Sequence, residues 1–247
     1  MPHRAQGRRS VLLFPGFASP PDYYASLVES LAQTGLLVEV YCPPGVAQRR
    51  EDTWGGDADS LIQDAATHRQ DSLSVLIGHS WGCHLARAFA RKYGTPTLIE
   101  IDPRLRSRTT PHATFDAPTR VAGKAEMIAL YARSGNDVRW DWWEVQDDGS
   151  FLLRFNPAQL TQYLQYAWPT YPAAVWPHLQ ATNILVVRTL QKSLSVDDDV
   201  AAFKRDFPAV RWAELAEVSH ALPPREQQVV AATISRFLEP LPSSSFG

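Results

Sequence analysis

A serine stands between two glycines in Gly78-His79-Ser80-Trp81-Gly82, and the segments flanking it decide what this chain can fold into. Upstream, Leu73-Ser74-Val75-Leu76-Ile77 is a short, mostly apolar run with the pattern of a buried strand. Downstream, Leu85, Ala88 and Phe89 recur at helical spacing, Arg87, Arg91 and Lys92 lie elsewhere around the helix, and Gly94 is placed to stop it. Ser80 therefore falls on a tight turn from strand to helix. Such a turn drives the serine toward a strained backbone conformation, which glycines without a Cβ are expected to tolerate, and holds the hydroxyl clear of the sheet edge. The backbone N–H of Trp81 then faces the space where an oxyanion would form, and the helix start adds its positive dipole end.

The rest of the chain repeats the strand-then-helix rhythm. Val11 to Phe14 reads as a strand; a turn-rich loop, Pro15-Gly16-Phe17-Ala18-Ser19-Pro20-Pro21, leads to a helix through Tyr24, Leu27, Val28 and Leu31 that Gly35 stops. Leu36 to Tyr41 is the next strand, followed by a helix through Leu61, Ile62 and Ala65, then the serine turn, then the strand Thr97 to Ile101 ending at Asp102-Pro103. Strict alternation implies a parallel sheet with right-handed crossovers. From about 104 to 181 the rhythm stops. That stretch holds most of the tryptophans, a helix expected over Ala125 to Ala132, a hairpin expected to pair Trp142–Val145 with Phe151–Phe155, and a helix through Leu160, Tyr163 and Leu164. The core resumes at Asn183 to Arg188, passes through a helix with Val200 and Phe203 and a strand over Val210 to Leu215, and closes after His220 with a helix through Val230 and Ile234.

G-x-S-x-G in this setting resembles the nucleophile elbow of the α/β-hydrolase fold superfamily. The resemblance implies an α/β fold with a mostly parallel sheet of about six strands and helices on both faces, since the few residues before Val11 leave the family's usual two leading antiparallel strands without a counterpart. With the halt in the alternation, the expected division is a core of residues 1–103 and 182–240 and a lid of residues 104–181 inserted after the strand that ends at Asp102; the Pro- and Ser-rich residues 241–247 read as a disordered tail. The resemblance also implies a nucleophile, an acid and a histidine in that chain order. Ser80 is the nucleophile; His220, between the last core strand and the final helix, stands where the family puts its base. For the acid, Asp102 matches an alternative position that some members use, and Asp197 or Asp198 remain open, although acids at a helix start also cap it. The loop after the first strand supplies the family's second oxyanion donor, a role that falls by position to Phe17 beside Trp81; the family's usual His-Gly is Pro15-Gly16 here.

A serine hydroxyl is a poor nucleophile at neutral pH, so it needs a base within reach and an acid to orient that base. The reaction expected is hydrolysis of an ester, thioester or lactone of a hydrophobic small molecule through an acyl-enzyme. An acyltransferase or cyclising thioesterase, and a ligand-binding protein with a vestigial triad, are the alternatives. Trp142, Trp143, Tyr163 and Trp168 are the candidate substrate-binding residues, although an aromatic-rich stretch is as often a small core.

The remaining features narrow the field. Lys plus Arg number 24 and Asp plus Glu 26 in 247 residues, a near-neutral balance without a pull toward nucleic acid or an anionic membrane. The run Val11-Leu12-Leu13-Phe14 is too short for a membrane span and ends at Pro15. Two cysteines, Cys42 and Cys83, make neither a disulfide scaffold nor a metal cluster, and His79, Cys83 and His84 match no zinc spacing. A cytoplasmic enzyme without metal or cofactor is the expectation. Arg104, Arg106 and Arg108 read as a solvated face.

Overall fold

The computed structural model describes residues 9–67, 73–105, 114–134, 139–165 and 183–239. Six strands, β1 (Ser10–Phe14), β2 (Leu37–Val40), β3 (Leu73–His79), β4 (Thr97–Ile101), β8 (Asn183–Gln191) and β9 (Arg211–Ser219), form one sheet in the order β2-β1-β3-β4-β8-β9. Every pairing is parallel. β1 and β4 are buried at all positions, as strands covered on both faces must be.

Alternate side chains of each strand enter separate cores. Val11, Leu13, Val75, Ile77, Ile99 and Val187 pack with α1 (Ala25–Gln33) and α7 (Pro224–Leu238), represented by Leu27, Leu31, Val230 and Ile234. Leu12, Phe14, Leu76, Leu98 and Ile184 pack on the other face with α2 (Ala58–Thr67), α3 (Gly82–Tyr93) and α6 (Asp197–Asp206), through Leu61, Leu85, Phe89 and Phe203. Arg87 of α3, read from sequence only as lying elsewhere around the helix, points into this second core. Its Nε and Nη2 donate to both oxygens of Glu100 on β4, at 2.5 and 2.9 Å, with the two side chains 2% and 0% exposed. A bidentate partner is what makes a carboxylate tolerable inside a central strand.

Between β4 and β8 the chain leaves the sheet. β5 (Arg120–Val121), β6 (Trp143–Val145) and β7 (Phe151–Leu153) make an antiparallel sheet in the order β5-β7-β6, with α4 (Lys124–Ser134) before the hairpin and α5 (Pro157–Gln165) after it. The hairpin pairs Trp143–Val145 with Phe151–Leu153, and its extension to Phe155 instead bridges Val46 in the loop after β2. That loop is tied down further. Ala47 N–H donates to the Arg154 carbonyl at 2.7 Å, Asn156 N–H to the Gly45 carbonyl at 2.9 Å, and Tyr163 Oη to the Pro44 carbonyl at 2.7 Å.

Parallel strands all point one way, so everything that follows β1, β3, β4, β8 and β9 is delivered to the same edge. β1 connects outward to β2 on one side while β3 lies on its other side, the switch in direction at which sheets of this kind place their binding sites.

Candidate active site

Ser80 directly follows β3 with φ +52°, in the left-handed region where a side chain is strained. Its N–H donates to the Ile101 carbonyl at 2.9 Å and its carbonyl accepts from Cys83 N–H at 3.1 Å, so the bend is pinned from both sides. The neighbouring glycines serve a different purpose from the one read in sequence. Neither Gly78 nor Gly82 has positive φ. A Cβ on Gly82 would lie 2.1 Å from the Phe14 carbonyl oxygen, and one on Gly78 would lie 2.6 Å from Cys83 Cα. The elbow needs them so that α3 can press against the end of β1 and against β3, while the strain sits on the serine itself.

Asp102 follows β4, also in the left-handed region at φ +44°, and is fully buried. Its Oδ2 accepts from His220 Nδ1 at 2.6 Å and from Leu194 N–H at 3.1 Å; its Oδ1 accepts from Ser193 Oγ at 2.6 Å. Burial pushes the carboxyl pKa up, but the bonds from His220 and Ser193, His220's charge and Leu194 N–H together outweigh it and hold Asp102 below the ordinary carboxylate range. An ionised partner on Nδ1 fixes the imidazole tautomer, leaving Nε2 as an acceptor. The His220 backbone is held as firmly, its N–H donating to Gln191 O at 3.1 Å. Asp197 lies elsewhere: it is exposed and pairs with Arg188 at 2.5 Å, and Asp198 is exposed on the same first turn of α6. The β8–α6 loop thus sends Ser193 and Leu194 to Asp102 and keeps its own aspartates away from His220, a part that sequence did not reveal.

Among the described residues neither the Ser80 hydroxyl nor the Phe17 N–H carries a hydrogen bond. Trp81 is the N-cap of α3, so its N–H belongs to the positive helix end beside Ser80.

The aromatic candidates divide. Tyr163, 2% exposed, stacks on Trp81 at 5.0 Å and on Trp54 at 4.9 Å. Trp142 touches Phe115 at 5.4 Å, which touches Phe17 at 6.2 Å, so it stands second in a row of rings leading from the Phe17 loop. Trp143, 6% exposed, donates Nε1–H to Tyr131 Oη at 3.1 Å and belongs to the interior between α4 and the small sheet. Trp168 lies outside the described residues. Among the described residues no group of three or more His, Cys, Asp or Glu side chains is placed to hold a metal ion.

Residues 11–233 match the family described as "Alpha/beta hydrolase family". Two solved structures are similar over nearly the whole chain. A "Thioesterase Domain From Curacin Biosynthetic Pathway" superposes with a TM-score of 0.67 at 14% identity, covering 93% of this chain and 90% of that one. A "Marine microorganism esterase" superposes with a TM-score of 0.68 at 15% identity, covering 94% and 96%. Identities this low speak for the fold alone. A curated relative, the N-terminal section of the carbamoyl phosphate synthase large chain of Methanopyrus kandleri, is 27% identical over 184 residues, 72% of this chain. The chain spans only 29% of that relative's length.

Proposed function

The chain belongs to the alpha/beta hydrolase family, and from that premise we propose that it is a serine hydrolase that cleaves an ester, thioester or lactone of a hydrophobic small molecule. The observation that carries this reading is the 2.6 Å bond from His220 Nδ1 to buried Asp102, made by a ring whose centroid lies 5.3 Å from that of His79, the residue before Ser80. In the proposed cycle, Ser80 Oγ attacks the acyl carbonyl while His220 Nε2 takes its proton. Asp102 orients the ring and stabilises the imidazolium, and the Phe17 and Trp81 N–H groups receive the oxyanion. His220 then returns the proton to the leaving group. Water, activated by the same base, releases the acid from the acyl-enzyme and regenerates the serine.

Residues 104–181 act, in this reading, as the cap that gives the acyl chain its apolar walls, with Tyr163 against Trp81 and Trp142 joined to Phe17 through Phe115. The same cap supports a second reading, in which a substrate hydroxyl or amine intercepts the acyl-enzyme because water is kept out. The structural likeness to a thioesterase domain from a biosynthetic pathway favours testing thioesters first. A cytoplasmic location fits the sequence, and among the described residues no helix is long and apolar enough to cross a membrane.

A fluorophosphonate probe tests the proposal. Labelling of the wild type that disappears in Ser80→Ala and His220→Ala is the expected result; an unreactive wild type would instead favour a ligand-binding protein that keeps the residues without turnover. Product analysis across a series of acyl esters and thioesters, with and without added alcohols and amines, separates hydrolysis from acyl transfer.

A further inference from the structure

We propose that Tyr24 and His79 are positioning residues for the hydrolytic site, forming a buried chain of hydrogen bonds with one direction that locks the Phe17 loop to the His220 loop across the end of the sheet. The inference rests on the serine-hydrolase reading above. The links run from one loop to the other without a gap. Gly16 N–H donates to Tyr24 Oη at 2.7 Å, Tyr24 Oη lies 2.7 Å from His79 Nδ1, and His79 Nε2 lies 2.9 Å from the backbone carbonyl oxygen of His220. Gly16 precedes Phe17, His79 precedes Ser80, and His220 is the candidate base. Each of the three reacting segments is therefore held by a neighbour or by its own backbone.

The protons can be placed by elimination. An amide only donates and a carbonyl only accepts, so His79 Nε2 must carry a hydrogen. The ring is 3% exposed, and burial, aided by the adjacent His220 ring 5.3 Å away, lowers its pKa to about 3, so it holds a single proton at working pH. Nδ1 is then bare and accepts the hydroxyl proton of Tyr24, whose oxygen is in turn free to accept from Gly16. One arrangement satisfies every group, and each bond polarises the next.

The surroundings leave this chain little slack. A Cβ on Gly16 would sit 3.0 Å from His79 Nδ1 and 3.3 Å from Tyr24 Oη, so the Phe17 loop rests directly on the two rings. Tyr23, the residue before Tyr24, donates its hydroxyl to the Ala221 carbonyl. Gln227 of α7, fully buried, donates to the carbonyls of Tyr23 at 2.7 Å and Leu222 at 2.9 Å and accepts from Leu27 N–H at 3.0 Å. The short turn Pro21–Tyr24 thus acts as a strut between the two loops. What it fixes is the distance from the oxyanion donor to the base, on which transition-state stabilisation depends while ground-state binding does not.

The variants Tyr24→Phe, His79→Leu and His79→Gln, compared with wild type and Ser80→Ala, test this with a p-nitrophenyl acyl ester and a fluorophosphonate probe. Gln keeps an N–H near the Nε2 position, and Leu keeps nothing. We expect Tyr24→Phe and His79→Leu to lower kcat and the labelling rate by about tenfold or more with KM little changed, short of the roughly 10²–10³-fold loss from deleting an oxyanion donor outright. His79→Gln should recover most of that loss. Nitrogen-15 NMR of the wild-type imidazoles at pH 7 should find His79 neutral with its proton on Nε2, a readout that survives if a variant fails to fold. An Nδ1–H tautomer, a doubly protonated ring, or unaltered kcat in both Tyr24→Phe and His79→Leu of an active, labelled enzyme would overturn the inference alone. A wild type that neither labels nor hydrolyses the ester overturns the serine-hydrolase reading and the inference with it.

Discussion

The two walls that meet near Ser80 are held by different forces. On the sheet side, Asp102, His220 and Ser80 are fixed by short, directional bonds to backbone and carboxylate, and two of the three sit in left-handed backbone that only an over-determined structure sustains. On the cap side the rings themselves meet through packing, Trp142 and Phe155 5.7 Å apart and Tyr163 between Trp54 and Trp81, while hydrogen bonds hold their backbones and the Tyr163 hydroxyl. Hydrogen bonds fix atoms; ring packing fixes volumes. Damage to the sheet side should therefore appear in the rate of reaction, and damage to the cap in stability and in the range of substrates accepted.

The largest expected effect is Asp102→Asn. An amide that turns its N–H₂ toward His220 cannot accept from Nδ1–H, so the ring adopts the wrong tautomer; kcat should fall by about 10³-fold or more, as in triads generally. Asp197→Asn, at an exposed ion pair, should leave kcat within about threefold. Steady-state kinetics on one ester compares them, and the reverse ranking would move the acid to α6.

Gly82→Ala comes next. Its Cβ would meet backbone oxygen at 2.1 Å, and neither β1 nor α3 can retreat without opening the core, so a loss above about 3 kcal/mol is expected. Gly149→Ala in the cap hairpin has φ +77° but open space around it, and should cost about 1 kcal/mol. Urea unfolding of the two variants measures the contrast. Similar losses at both sites would mean that the hairpin turn is as constrained as the elbow.

These cases show where sequence is readable. Ser80 and His220 could be singled out because the ends of parallel strands are set by apolar runs, and the six-stranded sheet follows from the same runs. Asp102 is preferred to Asp197 and Asp198 on position alone, since all follow core strands; the His220 ring bonds to Asp102, while Asp197 is exposed and paired with Arg188. Gly78 and Gly82 were legible as necessary but not for the right cause: Gly78 closes on the Cys83 backbone of the helix that follows, and Gly82 on Phe14, a contact across 68 positions of chain. Tyr24 and His79, 55 residues apart, escaped for the same reason. A histidine inside a buried elbow must find partners, and that signal alone could have prompted a search for them. β5 is two residues long and leaves no pattern to read.

A smaller effect concerns pH. The folded His79 ring has its pKa lowered to about 3 from the ordinary 6.5, so below pH 6.5 the unfolded chain takes up a proton that the folded chain refuses. Stability should then fall with falling pH, by about 2 kcal/mol from this group at pH 5. The depressed Asp102 carboxyl contributes stability above its ordinary 3.8 and loses it only as pH drops past that value, so it does not enter this window. Urea midpoints at pH 7 and pH 5 should differ clearly for wild type and much less for His79→Gln. Equal slopes for the two would place the acid sensitivity in another group.

The smallest effect is Tyr163→Phe, on the cap side. Removing the hydroxyl leaves the Pro44 carbonyl without its 2.7 Å donor in a buried setting, at a cost of about 1 kcal/mol. The ring keeps its place between Trp54 and Trp81, so the elbow feels no change in packing. Unfolding should shift by that amount while kcat stays within about twofold, the converse of what Asp102→Asn does. A kcat loss comparable to that of Tyr24→Phe, at unchanged stability, would break the division between the two walls. It would mean that the cap positions the reacting groups as directly as the sheet does.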